Sequence, residues 1–231
     1  MVEKQGVIGY NLAMIINWYG EGCFRIQSGE SDILIDPFDS KTGLTPPRFK
    51  QTLTLKTLTA SDFLREEEEG MVIMGGGDYE VSGIEIKGLQ IIKSIPTSKE
   101  SGPRSEGVGA DKFVKTIYVL NLEGISIGVL GHLSELPEAD VEGFFAGLNI
   151  LMIPLGGKPF LEVADATKLI KTLEPQIIIP TFFKVPGLKR EALDSKDFVK
   201  ALGLNSETEE KLVVKKKDFS EMKPKIVTLK T

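Results

Sequence analysis

The chain has 231 residues, 28 Lys plus Arg against 33 Asp plus Glu, one Cys and one His. That length can bury a large core unaided, and 41% hydrophobic residues exclude a disordered chain, while the lone Cys and lone His exclude a disulfide framework, a Cys-rich zinc ribbon and any site needing two histidines from one chain. A net charge of −5 argues against a nucleic-acid binder, and no apolar run approaches the roughly 20 residues of a membrane-spanning helix, so the expectation is a cytoplasmic protein without nucleic-acid or membrane partners.

The N-terminal segment is rich in strand signals. Met14 to Trp18 is apolar, Cys23 to Gln27 and Asp32 to Asp36 alternate, and Gly20-Glu21-Gly22 and Ser28-Gly29-Glu30 mark turns between them. This predicts an antiparallel meander closed by Pro37 and Pro46-Pro47. Residues 53–57 predict another strand. A short polar helix is expected from Ser61, capped by Ser61 or Asp62, with Glu66 to Glu69 on its exposed face. Met71 to Met74 and two alternating runs within Tyr79 to Ile95 predict further strands of the same sheet. Residues 96–111, rich in Gly and Ser, read as a long exposed loop that is either a lid or disordered. Lys115 to Leu120 and Ile125 to Leu130 flank a hairpin turn at 121–124.

The second half changes character. Helical spacing over Pro137 to Leu148 precedes a buried-type strand, Ile150 to Pro154. An amphipathic helix, Val163 to Leu173, precedes a second such strand, Ile177 to Pro180. Asp194-Ser195 caps a helix ending at Gly203, and strands are expected at Leu212 to Lys215 and Lys225 to Leu229. With no convincing linker, residues 1–231 read as one domain of two β-rich layers with helices outside.

Four strings in this order carry a resemblance: INWYGEGCFRIQSGESDILIDPF, GGGDYEVSGIEIKGL, GVLGHLSEL, and the stretch from Leu148 to Lys184. Together they resemble the metallo-β-lactamase superfamily, and particularly its compact branch of Zn-dependent hydrolases. The resemblance implies an α+β fold, a four-layer αββα sandwich of two mixed β-sheets with outer helices. It also implies a pocket where histidines and aspartates hold zinc or iron, and where the metal turns water into a nucleophile near neutral pH.

Placed residue by residue, the ligand pattern is degenerate. Its first string falls on Leu58, Ala60, Asp62 and Phe63, the next His on Ser98 or Lys99, the bridging Asp on His132 and the last His on Phe182. Only Asp62 keeps the family's type. Leu, Ala and Phe have no lone pair for a metal, and one carboxylate with one imidazole falls short of the three or four ligands a tight site takes. The expectation is therefore a metal-free pseudoenzyme with a binding or scaffold role, Leu58, Phe63 and Phe182 being core. Two alternatives stay open. One is a metal-dependent hydrolase with an unusual ligand set holding Zn, Mn or Fe. The other is a regulatory subunit pairing with an active relative, so homo- and hetero-oligomers are both open.

The remaining candidates each have a plain structural reading beside the functional one. His132 is a general-base candidate facing Asp62, or hydrogen-bonded structure. Asp62 orients it, or caps a helix. Asp36 ends a strand and accepts backbone hydrogen bonds. Cys23 lacks a visible base and reads as a buried hydrophobe. Gly75 to Gly77 and Gly156-Gly157-Lys158 could cradle an anion but read first as tight turns. Lys99, Arg104 and Lys112 could form a small anion site but read first as a solvated loop. Lys215 to Lys217 read as an exposed face, and Trp18 and Phe24 as core.

Overall fold

In a computed structural model of the chain, the described residues are 12–60, 70–92, 113–136 and 141–231. In chain order they form β1 (Met14–Gly20), β2 (Cys23–Ser28), β3 (Ser31–Ile35), β4 (Leu53–Lys56), β5 (Leu58–Ala60), β6 (Met71–Met74), β7 (Gly77–Val81), β8 (Ile84–Ile92), β9 (Phe113–Leu122), β10 (Ile125–Val129), α1 (Val141–Phe144), β11 (Ile150–Pro154), α2 (Val163–Leu173), β12 (Ile177–Thr181), α3 (Ser195–Leu202), β13 (Asn205–Glu209), β14 (Leu212–Val214) and β15 (Lys225–Leu229). One sheet runs β14-β1-β2-β3-β4-β6. The other runs β13-β15-β12-β11-β10-β9-β8-β7, with β5 also paired to β9.

Both sheets are mixed. The meander β1-β2-β3 is antiparallel as expected, whereas β3, β4 and β6 run parallel. In the second sheet β10, β11, β12 and β15 are parallel. The strict alternation of β1 puts Met14, Ile16 and Trp18 on the inner face, where they meet Phe24, Ile26, Leu120, Ile127 and Ile179 from both sheets. A second apolar cluster lies on the far face of the second sheet, where Ala166, Leu169, Ile170 and Leu173 of α2 and Phe198 of α3 cover Leu151, Ile153 and Ile178. Strands β11 and β12 are buried along their whole length because both faces are covered. The result is the expected α+β sandwich of two mixed sheets, and all three α-helices of the described residues lie on the outer face of the second sheet. The helix expected from Ser61 lies outside the described residues, as do the loop 96–111 and residues 137–140 of the helix expected from Pro137.

One placement differs from the expectation. The two alternating runs of Tyr79 to Ile95, as far as Ile92 where the described residues end, belong to the second sheet, not the first, and the break between their strands falls inside the first run. Ser82 and Gly83 take positive φ (52° and 77°), so Tyr79 to Val81 turns back on Ile84 to Ile86 as a two-residue hairpin. Alternation sets which face a side chain takes but not which sheet a strand joins. The polar edge strand β13 had no apolar signal at all and is exposed throughout. Lys225–Glu207 and Lys230–Glu210 ion pairs (2.5 and 2.6 Å) decorate that edge.

Candidate active site

The carboxyl ends of β3, β4, β10, β11 and β12 open toward one end of the sandwich. The turns that leave them, with the β1–β2 turn, enclose a cavity of about 440 Å³ lined by Asp36, Leu58, His132, Phe160, Phe182 and Arg190 among others.

Its polar wall is a bonded chain of three residues. Asp36 follows β3 with φ +42°, a left-handed conformation that Asp tolerates better than most residues. Its backbone N–H still donates to Leu55 O (2.9 Å). Thr57 is the residue at which the chain passes from β4 in one sheet to β5 in the other. Its N–H donates to Asp36 Oδ1 (2.7 Å), and its hydroxyl donates to Oδ2 (2.5 Å). Since that single proton is spent on the carboxylate, the contact from Thr57 Oγ1 to His132 Nδ1 (2.9 Å) is filled by an Nδ1–H donating to the hydroxyl. This fixes the tautomer and leaves the Nε2 lone pair of His132 for the cavity. His132 Nδ1 lies 3.6 Å from Asp36 Oδ2, and the Asp36 side chain is only 9% exposed. Gly131 makes the approach possible: at φ +48° its missing Cβ would lie inside the Thr57 side chain.

The apolar wall is a stack. Phe182 leaves β12 with φ +62°, and its ring stacks on Phe160 (centroids 4.1 Å apart) and meets His132 edge-on (4.9 Å). A bulky residue in this backbone region is strained and needs external support. The support is a clamp. Phe182 N–H donates to Glu21 O (3.3 Å), and Arg190 Nη2 donates to Phe182 O (2.6 Å). Arg190 also grips Glu21 through Nε and Nη2 (3.2 and 2.9 Å). Gly22 permits the ring to lie here, since a Cβ would come 2.7 Å from it.

Burial pushes the Asp36 carboxyl above its ordinary range, opposed by His132 and by the two hydrogen bonds from Thr57. Burial pushes His132 below its ordinary 6.5, with Asp36 and Glu21 pulling it back and Lys115 and Arg190 adding to the fall. A folded-state imidazole that resists protonation makes the unfolded chain the better proton acceptor. Stability contributed by His132 is therefore full above 6.5 and is lost as pH falls from there toward the folded value. The slope is at most about 1.4 kcal/mol per pH unit. Urea midpoints from about pH 7 down to pH 5 should show this limb in the wild type and a flatter profile in His132→Gln. Parallel profiles for the two proteins would contradict it.

Of the site candidates named from the sequence, the structure brings His132 and Asp36 together through Thr57. Asp62, Phe63, Ser98, Lys99, Arg104 and Lys112 lie outside the described residues, and of Ala60 only the backbone, in β5, is described. Leu58 is not core packing; it is half-buried and lines the cavity. Phe182 is buried, but as cavity wall. Cys23 is fully buried, and burial with the nearby Asp36 charge pushes its thiol up, away from reactivity. Gly75 and Gly76 offer carbonyls to the Tyr118 and Tyr79 hydroxyls (3.2 and 3.1 Å), which is turn geometry, not an anion cradle. Trp18 and Phe24 are core, as expected. Sequence reasoning gave no site role to Glu21, Phe160 or Arg190, which nothing in their local spacing marks, and noted Thr57 only as fitting the family pattern just before Leu58.

The described residues do not fit a tightly held metal. No three His, Cys, Asp or Glu side chains among them come together as a ligand set. Both Asp36 oxygens are engaged by Thr57, the carboxylate of Glu21 is engaged by Arg190, and the Arg190 guanidinium borders the cavity.

Residues 15–182 match the family model described as a β-lactamase superfamily domain. A UPF0173 metal-dependent hydrolase of Methanopyrus kandleri is 24% identical over 219 residues, covering 84% of this chain and 95% of the relative. One of Methanosarcina mazei is 22% identical over 221 residues, covering 84% and 92%. Among solved structures, a candidate Zn-dependent hydrolase of the metallo-β-lactamase superfamily from Thermotoga maritima superposes with a TM-score of 0.70 at 22% identity, covering 94% of this chain and 98% of that one. No helix among the described residues is long and apolar enough to cross a membrane.

Proposed function

The chain belongs to the β-lactamase superfamily, and from that premise we propose that it is a single-domain binding or scaffold member whose cavity takes a ligand without a resident metal. One observation carries the reading. Phe182, onto which the resemblance places the family's last histidine, is clamped in a left-handed conformation and stacked on Phe160. A clamp of this kind holds an aromatic floor in place, and the stacked rings offer a flat apolar surface beside one free imidazole nitrogen. His132 Nε2 is then a hydrogen-bond acceptor for the ligand, oriented by Thr57 and Asp36.

A second reading is favoured by the relatives, which are named metal-dependent hydrolases. In it, carboxylates outside the described residues, Asp62 first, complete a site with His132. Oxygen-rich ligands would select manganese or magnesium over zinc.

Metal content of the purified protein, by mass spectrometry before and after incubation with zinc, manganese and iron, separates the two. The proposal expects less than about a tenth of an equivalent in every case, against the near-stoichiometric metal of a three- or four-ligand site. About one equivalent, lost in His132→Ala or Asp62→Ala, would establish the second reading instead.

A further inference from the structure

Beside the cavity lies a groove of about 560 Å³ whose walls carry Lys158, Lys184, Lys189 and Arg190 against a single acid, Glu191. In a chain with net charge −5 this is a local reversal of sign. The three lysines are exposed, and none forms a hydrogen bond through its ammonium or an ion pair among the described residues. The backbones of Lys184 and Lys189 are nonetheless pinned. Lys184 N–H donates to Leu193 O (2.8 Å), Leu193 N–H to Gly156 O (3.0 Å) and Lys189 N–H to Thr42 O (2.9 Å), which closes 184–193 onto the Gly156-Gly157 turn. The positive charges are thus gathered before any ligand arrives. The loop lies past the residues matched by the family model.

We infer that this groove binds the phosphate group of a small-molecule ligand. The choice of phosphate over carboxylate follows from the donor set. The planar fork of Arg190, which would suit a carboxylate, is committed to Glu21 and to the Phe182 carbonyl. What remains is three ammonium point charges on flexible stems, which match a compact group carrying about −1.5 to −2 charges and three acceptor oxygens. Arg190 lines both the groove and the central cavity. A monoester held by its phosphate in the groove can therefore place its organic part toward Phe160. The inference does not depend on whether the central cavity holds a metal, since none of the three lysines lines that cavity.

The test is isothermal titration calorimetry of the full chain at low salt with inorganic phosphate and with phenyl phosphate, using benzyl alcohol as the uncharged control. Both phosphates should bind saturably and benzyl alcohol should not compete for the groove. Affinity should fall at least about tenfold in the triple variant Lys158→Gln, Lys184→Gln, Lys189→Gln, which circular dichroism should show to be folded because all three side chains are exposed. Equal affinity for the two probes assigns the site to free phosphate; tighter binding of phenyl phosphate assigns it to a monoester. Unchanged affinity in the triple variant, or no saturable binding of either probe up to about 10 mM, would overturn the inference.

Discussion

Replacing Thr57 by Val should cost about 3 kcal/mol of folding stability at neutral pH, the range expected when a hydrogen bond to a buried charged group is removed and its partner left unsatisfied. Val has nearly the shape of Thr, and Thr57 is 1% exposed, so neither a cavity nor a clash complicates the comparison. What is lost is the hydroxyl that donates to Asp36 Oδ2 and accepts from His132 Nδ1. Only the Thr57 N–H to Oδ1 bond survives at the carboxylate. A small shift that brings His132 Nδ1 from 3.6 Å into direct contact with Oδ2 would recover part of the cost. The pH dependence gives the sharper signature. Burial already raises the Asp36 pKa, and the hydroxyl opposes that rise by favouring the charged form. Without it the folded pKa climbs further. An acid whose folded pKa is raised contributes stability that is fully present below its unfolded pKa and is lost as pH rises through the folded value. The variant's deficit should therefore be largest at neutral pH and shrink as pH falls through the Asp36 titration. Urea unfolding of both proteins across that window measures it, and Thr57→Ser should recover most of the loss. A deficit below about 0.5 kcal/mol, the scatter of an ordinary surface substitution, would mean the three residues are not a bonded chain.

How much of this was legible in the sequence depended on which physical signal each part uses. Helix α2 is legible to the residue because its apolar positions recur at helical spacing, and α3 because Asp194 and Gly203 are strong start and stop chemistry; the Asp194 carboxylate does accept from Lys196 N–H (2.9 Å). The hairpin at 121–124 is legible from its turn residues, and Glu123 and Gly124 both take positive φ there. Strands β5 and β13 are not, one being three residues long and the other wholly polar. At the site, Asp36 and His132 are legible as residue types at strand ends, but their meeting through Thr57 is not. The contact from Thr57 to His132 spans 75 residues, and the Arg190–Glu21 pair spans 169. No local periodicity reports such a meeting, because it is set by which strand ends the sheet order brings together. The family resemblance pairs His132 with Asp62, which lies outside the described residues, and says nothing of the bonds through Thr57 to Asp36.

Gly156→Ala should be the more damaging of the two substitutions for the cavity, with an expected loss of about 3–4 kcal/mol, in the tail that overpacking a buried site reaches. Gly156 does not occupy the positive-φ region, so alanine meets no backbone penalty of its own. The obstacle is the close approach of another backbone: a Cβ would collide with the Phe182 carbonyl oxygen and lie 2.6 Å from its carbon. Those are main-chain atoms, so no rotamer change relieves the contact. The carbonyl is also the one Arg190 holds at 2.6 Å, and the residue behind it already sits at φ +62°. Relief requires Phe182 to leave the clamp, which breaks its stack on Phe160 and its edge contact with His132. The stability change alone would not distinguish this from any crowded glycine. The imidazole signal of His132 does, because His132 is the only histidine in the chain and its NMR resonance can be followed without assignment. In Gly156→Ala that resonance should lose the ring-current shift from the Phe182 edge and titrate closer to the ordinary 6.5, since displacing the ring readmits water to the imidazole. A variant that is destabilised as expected but leaves the His132 resonance and its titration unchanged would show that Phe182 is not what keeps the imidazole dry, and the aromatic floor would then be packing rather than part of the binding cavity.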